Sequence, residues 1–98
     1  VGNSIQSARF LIESRLRDAA GGDSQACYDL GVVFSCGVSG VDIDLIEAHK
    51  WFNLAAVAGS EEGQACRAEI SEEMTAREIA EAQRQARAWL SLHRRAAA

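Results

Sequence analysis

The chain has 98 residues, no proline and a formal net charge of −4, with 24% charged and 48% hydrophobic residues. That length suits a single domain with a modest core. The acidic balance argues against nucleic acid as the main partner, and no apolar run approaches the ~20 residues a membrane crossing needs.

Abundant alanine and few β-branched or aromatic residues favour helix throughout. The first predicted helix runs from Ile5 to Ala20, with Phe10, Leu11, Ile12 and Leu16 on its apolar side and Gly21-Gly22 ending it. Asp23 caps a second helix that reaches Cys36, with the stripe Cys27, Leu30, Gly31 and Phe34 at i, i+3, i+4 and i+7. Gly37 to Val41 is read as a loop. Asp44 caps a third helix, with Glu47 three residues on, and this helix ends at Gly59. Ser60 caps a fourth, with Glu61 and Glu62 in the first turn, where the helix dipole favours acids, and an inner stripe of Gly63, Cys66, Ile70 and Met74. Thr75 and Glu78 form a capping box for a fifth. Its stripe is Ile79, Ala82, Ala86, Trp89, Leu90 and His93, with Arg94 and Arg95 at the end the dipole favours. Short loops between these segments make neighbouring helices antiparallel.

Charge is unevenly distributed. Ten acids between Asp23 and Glu73 face only Lys50 and Arg67, whereas five arginines face two glutamates from Thr75 onward. An acidic body with a basic last helix suits head-to-tail contacts or a basic partner; the simpler reading is a solvated surface. The three cysteines, Cys27, Cys36 and Cys66, are odd in number and show no CxxC spacing, so they make no disulfide framework and favour the cytoplasm. No signal peptide is visible. The chain opens at Val1, so a periplasmic or envelope location stays open should a leader or an upstream domain have been removed.

His49 and His93 are far apart, with no cysteine or acid at ligand spacing, so no metal site is expected; His49 is placed on a helix flank. Cys27 and Cys66 fall on apolar stripes and read as small core residues, while Cys36 sits at a helix end, where exposure is open to it. Glu72 and Glu73 read as solvated acids rather than a general acid–base pair. Gly37 and Gly40 follow no strand, which removes a phosphate-loop reading. No nucleophile–base pair stands out, so neither a catalytic residue nor a cofactor is expected.

An internal repeat decides between a bundle and a stack. Gly22-Asp-Ser-Gln-Ala26 and Gly59-Ser-Glu-Glu-Gly63 share the order helix end, cap, helix start, and lie 37 residues apart. Between them run Ala26-x-x-x-Leu30-Gly31-x-x-Phe34, Val41-x-x-Asp44-x-x-x-Ala48-x-x-Trp51 and Ala55-Ala56-x-x-Gly59. This pattern resembles the Sel-one-like repeat family, relatives of the tetratricopeptide repeat. It departs from the family in Phe34, where tyrosine is usual, and in one extra residue between Gly37 and Gly40. The resemblance spans residues 23–59, one full repeat, flanked by an N-terminal capping helix (1–22) and a C-terminal capping helix pair (60–98) within one domain, 1–98.

The resemblance implies an all-α, right-handed superhelix of stacked antiparallel hairpins, about five helices in all. In such a stack Ala48, Ala55, Ala56 and Gly31 let backbones approach, Trp51 and Phe52 fill the space between hairpins, and Trp89 and Leu90 are largely buried under the cap. The resemblance also implies a bacterial adaptor or scaffold that binds a partner protein or peptide through its concave surface. The first helix of each hairpin lines that surface, which puts Gln25, Asp29, Val32 and Cys36 in the groove. Such a row suits an extended or helical peptide with a basic anchor and a few apolar side chains. The alternative is a purely structural tail of a larger protein, or a homodimer that fills the groove.

Overall fold

The computed structural model describes the backbone of residues 2–97 and the side chains of residues 6–93. The chain forms five α-helices: α1 (Gly2–Ala20), α2 (Ser24–Cys36), α3 (Leu45–Val57), α4 (Glu61–Ser71) and α5 (Ala76–Ala97). No strand occurs among the described residues. The protein is therefore all-α, as its composition predicts.

The helix starts follow from local chemistry. The Asp23 carboxylate accepts from the backbone N–H groups of Gln25 and Ala26, Asp44 accepts from Glu47 N–H at 3.1 Å, and the Ser60 hydroxyl accepts from Gly63 N–H at 2.9 Å. At Thr75 the capping box closes in both directions. Thr75 N–H donates to Glu78 Oε1 at 2.8 Å, and Glu78 N–H donates to Thr75 Oγ1 at 3.1 Å.

The repeat read between Gly22 and Gly59 has a backbone counterpart. At the end of α1, Gly22 N–H reaches Ala19 O and Asp23 N–H reaches Asp18 O; at the end of α3, Gly59 N–H reaches Ala56 O and Ser60 N–H reaches Ala55 O. Both are Schellman closures, in which the last carbonyls of the helix are satisfied from beyond its end. Each hands the chain directly to a capped helix.

The segment after α2 is tighter than a loop. Gly37, at φ 69°, takes the left-handed C-cap position and its N–H closes on Val33 O; Val38–Gly40 then forms a single 3-10 turn with Ser39 itself left-handed at φ 56°. Asp44 N–H donates to Phe34 O at 2.9 Å, which ties the start of α3 to the end of α2.

The middle of the fold is α3, which packs against α2, α4 and α5. Its pairings with α2 run antiparallel, from the Phe34–Asp44 bond at one end to Cys27 near Leu54 at the other. Those with α4 also run antiparallel, with Ser71 beside His49, Arg67 bonded to Asn53, and Gly63 against Ala55. Small residues set these distances. A Cβ added at Gly31 would overlap the Phe52 ring, and one at Gly63 would lie 2.8 Å from Ala55 Cβ. Phe52 lies between α2 and α4, its ring 5.7 Å from that of Tyr28. Trp51 points to the other side and meets Trp89 of α5 edge-on at 4.9 Å, while its indole N–H donates to Glu47 Oε2 at 3.0 Å.

Three expectations are corrected by this packing. Helix α1 begins at Gly2 rather than Ile5. Phe10 is 70% exposed, because the inward face of α1 carries Ala8 and Ala19, and a residue two positions from Ala8 points about 200° away. Trp89 and Leu90 pack against the core and keep only part of their surface exposed, where a cleft opens between them and the end of α1 at Ala19 and Gly22. His49 is only 2% exposed rather than on a flank, because α4 covers that side of α3. The side chains of Arg94 and Arg95 lie outside the described residues.

Candidate partner-binding face

The row expected to face a groove begins on the first turn of α2 and runs to its last residue. Gln25 is exposed and its side-chain amide donates to Asp29 Oδ1 at 2.9 Å. The other oxygen of Asp29 is 3.0 Å from Arg15 Nε on α1. Val32 is half-buried, and Cys36 is exposed at the end of the helix, its sulfur 3.6 Å from Ser35 Oγ.

Helix α1 divides this row. Asp29, Val32 and Val33 line a groove of about 360 Å³ between α1 and α2, with Leu11, Tyr28 and Val38 completing it. Gln25 and Cys36 do not line it. Leu11 and Tyr28 were not among the expected residues. Tyr28 lies four positions before Val32, one helical turn away on the same face, and that spacing was the available signal.

The surroundings of the groove are acidic with one internal cation. Tyr28 sits where α2 meets α4, and its phenol is held above its ordinary pKa first by its hydrogen bond and proximity to Cys66, then by burial, Glu62 and Asp29. The Asp29 carboxylate is already engaged by both Gln25 and Arg15, so its charge is partly answered within the protein. What α2 offers a ligand is a short apolar strip, Tyr28 and Val32, with the Asp29 carboxylate beside it.

Other recesses flank α1. One of about 380 Å³ lies between α1 and the 3-10 turn, with Ala8, Ile12 and Val41 as its apolar walls and Arg9 and Glu13 among its lining residues. The cleft at the end of α1, about 210 Å³, is walled by Trp89, Leu90 and His93, where the imidazole stacks on Trp89 at 3.6 Å between centroids.

The titratable groups form no reactive constellation around the groove. Burial, and then Asp23, push the Cys27 thiol up to about 11, which leaves it protonated at neutral pH. Glu72 and Glu73 are exposed at the end of α4. No three His, Cys, Asp or Glu side chains converge as metal ligands among the described residues, and no described helix is long and apolar enough to cross a membrane. No family model, curated protein or solved structure matches the chain.

Proposed function

We propose that the protein is a non-catalytic interaction module of the Sel-one-like type, an adaptor or scaffold that binds a partner protein or peptide. The observation that carries this reading is the groove between α1 and α2, where half-exposed Tyr28 and Val32 form an apolar strip bordered by Asp29, with Glu62 of α4 near enough to act on the Tyr28 phenol. The close-packed positions of the repeat lend support: Gly31 meets Phe52 and Gly63 meets Ala55, as stacking of one hairpin on the next requires. The preferred ligand is a peptide that lays one or two apolar side chains on Tyr28 and Val32 and directs a basic side chain toward Asp29 and Glu62. A groove this short buries well under ~1,200 Å² and binds weakly on its own.

A second reading, self-association, draws on the exposed Phe10 and Ile43. Sedimentation of the purified chain separates the two: a monomer favours a groove open to ligand, and a tight dimer favours scaffolding. The direct test is Val32→Glu, which places a charge in the strip and leaves the Asp29–Arg15 pair alone. Once a peptide or protein ligand is captured, its affinity is expected to drop at least about tenfold. Unchanged affinity in a folded variant removes the groove from the account.

A further inference from the structure

We propose that His49 is an acid-sensitive latch that holds α4 against α3, so that protonating its imidazole loosens α4 and with it the seam between α2 and α4. The ring is buried in the interface of the two helices. Its Nε2 lies 3.1 Å from Ser71 Oγ. The Ser71 hydroxyl spends its proton on Arg67 O at 2.7 Å, so it is an acceptor toward the histidine, and Nε2 must be the protonated nitrogen. That leaves Nδ1 as a bare lone pair, buried and without a hydrogen-bond partner among the described residues. The neutral ring fits this arrangement at a modest cost. A second proton on Nδ1 adds a buried donor with no acceptor among the described residues and a positive charge, and both are expensive in a buried interface.

The charges around the ring offer that proton no compensation. From α4 the ring feels Arg67, whose guanidinium bonds the neutral Asn53 of α3 and has no ion-pair partner among the described residues. On α3, Glu47 is taken by Lys50 and by the Trp51 indole. On α2, Asp29 is committed to Arg15, and on α5, Glu81 is committed to Arg84. Tyr28 of α2 is turned to Cys66, and its phenol is held further above its ordinary range. Burial first, and Arg67 second, therefore hold the imidazole below its ordinary value of 6.5. The undocked ring takes up a proton before the docked one. Docking is then at full strength above about pH 6.5 and weakens as pH falls from there to the lowered value. Tyr28 and Cys66 meet on this same seam, so loosening α4 also alters one wall of the face described above.

The test is amide hydrogen exchange of the whole chain, read as protection factors, from about pH 7.5 to about pH 5. Protection in α4 is expected to fall by up to about tenfold per pH unit below 6.5, while α1 and α2 hold theirs, and the His49 ring protons titrate below 6.5. In His49→Gln, whose amide can still donate to Ser71, this pH dependence is expected to vanish. His93 is the only other histidine, and His93→Gln is expected to leave the dependence intact. Flat α4 protection across the range in the native chain, the same loss in His49→Gln, or its disappearance in His93→Gln overturns the proposal. If His49→Gln does not fold, the native ring titration and the His93→Gln arm decide.

Discussion

Replacing Gly31 with alanine sets two known quantities against each other. Alanine is the better helix former by about 1 kcal/mol, so on an open face the change would stabilise α2. In this helix the new methyl group would occupy the space of the Phe52 ring, at Cδ1 and Cε1. The ring has little room to yield, since Phe52 is fully buried, and Tyr28 and Ile70 pack in the same cluster. The methyl is admitted only by turning the ring off its rotamer or by moving α2 away from α3. Forcing one extra carbon into a closed core costs about 1–3 kcal/mol, so after the propensity gain the net loss is expected to reach up to about 2 kcal/mol. For a domain of this size that lowers Tm by up to roughly 16 °C. The assay is thermal unfolding followed by far-UV circular dichroism, with Phe52→Leu and the double variant completing the cycle. The smaller side chain vacates the contested space, so the double variant is expected to be more stable than the sum of the two singles predicts. Gly31→Ala melting at or above the parent temperature, with additive effects in the cycle, would refute close approach at this position.

Two further outcomes follow from the caps and the thiols. Thr75→Ala removes one half of the reciprocal pair with Glu78 and is expected to cost about 1 kcal/mol, measured by urea unfolding with an unchanged m-value; a variant as stable as the parent would mean the start of α5 is held by its packing on α3 alone. With a disulfide reagent at neutral pH, exposed Cys36 is expected to react first and Cys27 only on unfolding, since its thiol is buried and pushed up to about 11. Rapid labelling of Cys27 in the native chain, located by peptide mapping, would contradict the buried assignment.

Most of the helix boundaries were legible because caps are local. Asp23, Asp44, Ser60 and Thr75 each bond a backbone N–H two or three residues ahead, and such contacts do not depend on the rest of the fold. The glycine closures at Gly22 and Gly59 were legible for the same reason. Burial was less so, because it depends on how many neighbours a helix acquires. His49 lies inside since α3 is covered on three sides, whereas one amphipathic stripe implies only one. Phe10 erred the other way, as a large apolar residue on the uncovered side of its helix. The left-handed Ser39 was hidden because serine at a positive φ carries no sequence signature.

The candidate face divides along the same line. That Gln25, Asp29, Val32 and Cys36 share one side of α2 follows from helical periodicity. That Arg15 would take Asp29, and that Leu11 and Tyr28 would join Val32 in one groove, depends on where α1 rests, which no local pattern encodes.

The four core alanines at positions 48, 55, 82 and 86 have no exposed surface at all. A core joined at such points has an asymmetric mutational tolerance. Truncation finds almost nothing there to remove, and every substitution except glycine enlarges the side chain. Random variation at these seams therefore arrives as wedges rather than as holes, and a wedge between two helices displaces everything bonded beyond it. The permitted alphabet at those positions is narrow even though the residue itself is the plainest in the chain.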